Sequence, residues 1–173
     1  MSARPALRLL TALSFGLSVV VALPAAAETA PMPMAMPMAM DSVPADVIRL
    51  ESANTFDDTV VRLKADVAAK GIRLFDQIDQ TALGAQVGLP VHRSTLILFG
   101  NPPLGVQFLQ SSAYAGLDWP VRMLVFEDAN HKVWVAWTRF DVIGKRYTIT
   151  DRAAQLKMAS EVALSIGTAA TSK

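Results

Sequence analysis

None of the 173 residues is cysteine, which excludes disulfides, thiolate catalysis, thiolate-held metals and a lipid-bearing amino-terminal cysteine in one step. An excess of one charge is missing too: 16 Lys and Arg stand against 15 Asp and Glu, interspersed along the chain. Nucleic-acid binding draws on a concentrated basic surface that displaces counterions from phosphates, so that class is set aside. Only two histidines occur, His92 and His131, too far apart in sequence for a zinc motif. Glycine loops of the phosphate-cradling type and nucleophile–base signatures are likewise absent.

What is present begins with an export pattern. Arg4 and Arg8 precede an apolar run from Leu9 to Leu23, and Ala25-Ala26-Ala27 close it with small residues, the layout of a secretory signal. The run is shorter than the ~20 apolar residues that span a bilayer, and Pro24 follows it. The expectation is cleavage after Ala27, a periplasmic location and no membrane attachment afterwards. Cleavage removes two arginines and no acid, leaving 14 basic against 15 acidic side chains.

Residues 28–44 read as a tether rich in proline and methionine, because proline fixes φ and removes donors. Within it, Met32, Met34, Met36, Met38 and Met40 alternate with small residues and proline. Soft thioether sulfurs suit Cu(I) or Ag(I), and a flexible chain lets several converge. The same composition also serves as a plain linker that holds a domain away from its processing site. Metal capture by the five methionines is the sharpest functional expectation.

From residue 45 the patterning becomes that of a folded domain, assigned to residues 45–150, with 151–173 as a carboxy-terminal helix and a frayed tail. Asp46 to Ala53 alternates as a strand. Thr55 caps a helix in which Phe56, Val60, Leu63 and Val67 recur at helical spacing and Gly71 supplies the stop. Ile72 to Ile78 reads as a strand whose alternation is spoiled at Phe75 and Asp76. Gln80 to Val87 is a short helix closed by Gly88. Ser94 to Phe99 is a near-continuous apolar run, which predicts a strand covered on both faces at the sheet centre. Leu104 to Ser111 follows as a short helix. Val121 to Glu127 and Lys132 to Thr138 form a hairpin, and helices follow at 139–147 and 151–166. This order predicts an α/β (α+β) fold, a compact two-layer sandwich with one sheet of about five strands covered by helices.

Asp79, Asn101, Arg122 and Glu127 fall at strand ends, where open α/β sheets place ligand-binding groups. Each also has a structural reading: Asp79 and Asn101 as helix caps and Arg122 as partner of a carboxylate. Trp134 and Trp137 project to opposite faces of one strand, so one can be core while the other faces a partner or ligand.

The run Leu96-Ile97-Leu98-Phe99-Gly100-Asn101-Pro102 resembles the signature of the family known as domain of unknown function 302. Leu117-Asp118-Trp119-Pro120-Val121-Arg122, Val125-Phe126-Glu127-Asp128 and Lys132-Val133-Trp134-Val135 resemble its later half, and the capped helix from Thr55 with residues 71–79 its first. The resemblance covers roughly residues 48–147 and implies a compact α/β domain able to form homodimers, with no established reaction. Where that family often has histidine after the aspartate matched by Asp79, this chain has Gln80. The functional expectation is a non-enzymatic exported binding or interaction module that self-associates, with Cu(I) or Ag(I) capture by the tether. The alternative is an enzyme whose pocket gathers Asp79, Asn101, Arg122 and Glu127.

Overall fold

A computed structural model describes residues 43–173; the expected signal and the five methionines at 32, 34, 36, 38 and 40 lie outside the described residues. Five strands, β1 (Val47–Glu51), β2 (Arg73–Asp79), β3 (Ser94–Gly100), β4 (Val121–Glu127) and β5 (Val133–Thr138), form one sheet in the order β1-β5-β4-β3-β2. Every neighbouring pair is antiparallel. The helices are α1 (Phe56–Ala69), α2 (Gln80–Gln86), α3 (Pro102–Ser111), α4 (Phe140–Arg146) and α5 (Ala153–Thr171), with a 3-10 turn at Ala113–Leu117. The element order matches the one read from the sequence, and the fold is α+β.

α1 forms where the capping signal placed it. The Asp58 amide donates to Thr55 Oγ1 at 3.2 Å and the Thr55 hydroxyl donates to Asp58 Oδ2 at 2.7 Å, closing the first turn reciprocally. Phe56, Val60, Leu63 and Val67 are all buried, and Gly71 leaves the helix at φ +64°, a conformation that favours glycine. Strand alternation gives the sheet two different faces. Ile97, Phe99, Met123, Val125, Val135 and Trp137, each 3% exposed or less, share the core with the buried side chains of α1 and α5. Leu96, Leu98, Leu124, Phe126 and Trp134 point the other way and stay partly exposed.

Three expectations are corrected. β3 lies next to the edge strand, and β4 holds the centre. The β3 run is apolar on both faces but burial alternates along it, with Thr95, Ile97 and Phe99 buried and Leu96 and Leu98 half-buried, so the main core lies on the first face. The broken alternation of β2 is a bulge between Leu74 and Asp76. A bulge inserts one extra residue, here Phe75, whose ring meets Trp119 edge-on with centroids 5.7 Å apart.

The third concerns the carboxy terminus, which does not fray. The Ala53 amide donates to the Thr171 carbonyl at 2.8 Å, and Asn54 Nδ2 donates to the carbonyls of Ala170 and Ser172 at 3.1 and 2.7 Å. Ala159, Ala163, Ile166 and Ala170 of α5 are core residues, so the helix set apart at residue 151 completes the domain. Its weak amphipathicity reflects close approach by small side chains: a Cβ at Gly167 would stand 2.7 Å from the Trp137 ring.

Candidate functional site

Polar side chains collect at the two opposite ends of the sheet. At one end, Asp118 sits just before the cis Trp119-Pro120 bond with its carboxylate 3% exposed. It accepts hydrogen bonds from Arg146 Nη1 at 2.6 Å, from the Tyr147 hydroxyl at 2.7 Å and from Arg122 Nη2. Burial pushes this carboxyl up, but the bonds from Tyr147 and Arg146 and the charges of both arginines outweigh it and hold it below the usual range. The Tyr147 hydroxyl is pushed up, chiefly because Asp118 accepts its proton. Arg146 also reaches Asp46 at 3.5 Å.

Asn101 belongs to the same end. It occupies the N-cap of α3 without a side-chain cap bond; its carbonyl accepts from the amides of Leu104 and Gly105 at 3.0 and 2.8 Å. Beside it lies a cavity of about 40 Å³ walled by Phe99, Leu104, Phe108, Trp119 and Phe140. That holds water-sized groups, far below the ~300 Å³ at which ligand pockets begin. A Cβ on Gly105 would overlap the Trp119 indole at 1.8 Å, so α3 and this ring pack directly. A larger open groove of about 540 Å³ runs between α4 and α5, past Lys145, Thr148, Thr150, Leu156, Lys157 and Ser160, and contains none of the expected site residues.

The other end carries Asp79 and Glu127. Asp79 caps α2, accepting from the Ala82 amide at 2.9 Å. Glu127 ends β4, and its Oε1 stands 3.6 Å from His131 Nδ1. Next to it, the buried Asp128 carboxylate accepts from the amides of Asn130 and Lys132 at 2.8 and 3.0 Å and from Trp134 Nε1 at 2.8 Å. The Trp134 bond is the main reason this carboxyl is held low, with the two amides adding to it against a smaller desolvation cost. The turn so pinned sets His131 at φ +60°. Its ring meets that of His92 edge-to-face, centroids 6.4 Å apart. Arg93, between these groups, is held by both Asp57 carboxylate oxygens at 3.1 and 2.5 Å.

The structure thus pairs Asn101 with Arg122 at one end and Asp79 with Glu127 at the other, separated by a strand length of about 20 Å. The four do not line one pocket. The strand-end expectation suits parallel sheets, whose carboxyl ends all point one way; in this antiparallel sheet the ends of β2 and β4 lie opposite the end of β3. Three of the four have structural duties close to those read from the sequence: Asp79 caps, Asn101 sits at a cap, and Arg122 pairs with Asp118. Sequence reasoning missed Asp118, Arg146, Tyr147 and Asp128, and left the two histidines as unrelated. Among the described residues, no three His, Asp or Glu side chains are preassembled around a cation position.

The family described as Domain of unknown function DUF302 matches residues 48–165. Two curated proteins, each called fluoride-specific ion channel FluC 1, from Brucella suis biovar 1 (strain 1330) and Brucella abortus biovar 1 (strain 9-941), are 34% identical over 89 residues. That stretch is 51% of this chain but 35% and 33% of those proteins, so the chain spans about a third of the length of the curated relatives it matches. The crystal structure of an uncharacterized conserved protein DUF302 from Bacillus stearothermophilus superposes with a TM-score of 0.65, covering 73% of this chain and 99% of that one at 13% identity. That likeness is one of fold.

Proposed function

This chain belongs to the DUF302 family, and we propose that it works as an exported, non-catalytic binding and interaction module that pairs with a second copy of itself. The observation that carries the reading is the second sheet face. Leu96, Leu98, Leu124, Phe126 and Trp134 form a half-buried apolar strip outside the core cluster, with Arg122 opposite Leu98 and Arg49 stacked over Trp134 at its rim, and apolar patches rimmed by polar residues mark interaction sites. Arg49 on β1 and Asp76 on β2 sit at its opposite edges. A copy turned over about an axis along the strands sets its β1 above this β2, with Arg49 within a few residues of Asp76 at both edges and with Glu51 and Arg73 farther along the same two strands. The relatives support an accessory role: the matched stretch is about a third of proteins named as channels, while no helix among the described residues is long and apolar enough to cross a membrane. Sedimentation of the mature chain is expected to give a dimer, and Leu124→Glu a folded monomer by circular dichroism. A wild-type monomer across micromolar concentrations overturns the pairing.

In the same reading the methionines of the tether capture Cu(I) or Ag(I) in the periplasm. Thioether sulfur is the ligand type that selects these soft cations. Native mass spectrometry under reducing conditions is expected to show Cu(I) on the mature chain and none after deletion of residues 32–40. Undiminished Cu(I) on the deleted chain overturns it.

A further inference from the structure

We propose that His92, His131 and Glu127 form a surface site for a borderline divalent transition-metal cation of the Zn(II), Cu(II) or Ni(II) class. The site does not depend on the tether, because imidazole and carboxylate select these ions whereas thioethers select Cu(I) and Ag(I).

The chain's two histidines come from different segments, His92 ahead of β3 and His131 from the β4–β5 turn, and meet at one end of the sheet beside the last residue of β4. His131 Nδ1 and Glu127 Oε1 are 3.6 Å apart, too far for a hydrogen bond. Donors on one tetrahedral cation with bonds of ~2.0–2.1 Å stand about 3.3 Å apart, so the observed pair is within a few tenths of an ångström of ligating spacing. By the same bond lengths, two imidazoles on one ion hold their ring centres about 5–6 Å apart. The observed 6.4 Å closes with a modest rotation of His92, which is exposed. The site is therefore completed by the ion, with water filling the remaining position.

The backbone at His131 points the same way. In a three-residue hairpin loop the left-handed position is ordinarily glycine, and a side chain there carries a conformational cost. Here the imidazole is kept at φ +60° by a turn that the buried Asp128 pins through two amides and the Trp134 indole. Of the neighbouring cations, Arg93 pairs with Asp57 and Lys132 with Glu51 at 3.0 Å, and the Arg93 guanidinium also feels the charge of Glu127.

Zn(II) titration of the untagged mature chain by calorimetry tests this. One Zn(II) per chain is expected, with His92→Ala, Glu127→Gln and His131→Gly each weakening affinity about tenfold or more. His131→Gly separates ligand loss from misfolding, because glycine suits that backbone: its melting temperature should rise while the metal is lost. A chain carrying both His92→Ala and His131→Gly has no histidine left and is expected to show only background binding. Wild-type affinity equal to that of this double variant overturns the site, as does Zn(II) binding that survives the three single changes.

Discussion

Two buried aspartates bracket the central strand β4, and their carboxylates are satisfied in different ways. Asp118, ahead of the strand, is gripped by charged and polar side chains of Arg122, Arg146 and Tyr147, two of them from the end of α4. Asp128, just after the strand, is gripped by two amides of its own turn and by the Trp134 indole. The first ties segments distant in sequence into one tertiary knot. The second is local and shapes one loop. A buried carboxylate with charged partners serves the whole fold, whereas one with neutral, nearby partners fixes the aim of a single side chain, here His131.

The largest effect is expected at the tertiary knot. Asp118→Asn should destabilise the domain by about 2–3 kcal/mol in thermal or urea unfolding, less than opening a fully buried pair because both guanidinia are half exposed and rehydrate. Asp128→Asn should cost less, and should show itself locally, as faster amide exchange confined to residues 128–132 with the core protected. Equal and global losses from both substitutions would erase the contrast.

Acid sharpens it. Both carboxyls are held below the usual range, so their stabilisation is present above about pH 4 and is lost as pH falls through their lowered folded values. The stability gap between wild type and Asp118→Asn should therefore narrow from pH 7 to pH 3. A gap that stays constant would mean that Asp118 contributes through shape and not charge. The smallest effect has the opposite sign: His131→Gly should stabilise by about 1 kcal/mol by relieving the left-handed side chain, measurable as a raised urea midpoint with an unchanged slope.

Much of the architecture was legible because it rests on local signals. Thr55 with Asp58, the spacing of Phe56, Val60, Leu63 and Val67, and the stop at Gly71 all act within a few residues, so the α1 pattern names its own element. The hairpin and the opposed faces of Trp134 and Trp137 follow from strand period alone. Strand order did not follow, because an apolar run such as Leu96 to Phe99 reports that both faces are apolar and not which neighbour or helix lies against each. The end of α5 also escaped notice, since the side chain that holds it, Asn54, lies at the far end of the domain sequence.

The candidate site was legible only in part. Asp79 could be read as a cap because its partner is three residues away, but Asp118 and Tyr147, 29 residues apart, give no periodic signal. Likewise nothing in the spacing of His92 and His131 announces that their rings meet.

From residues alone come an export-like pattern, the run of alternating methionines, the absence of thiol chemistry, the element order and the family likeness, since each is written in composition or in short-range spacing. Tertiary structure decided which sheet face stays open, which aspartates are buried, and that Asn101 and Arg122 stand a strand length from Asp79 and Glu127. The reason is geometric: antiparallel pairing sends successive strand ends to opposite sides of the sheet, and a sequence records the order of those ends but not the register that places them.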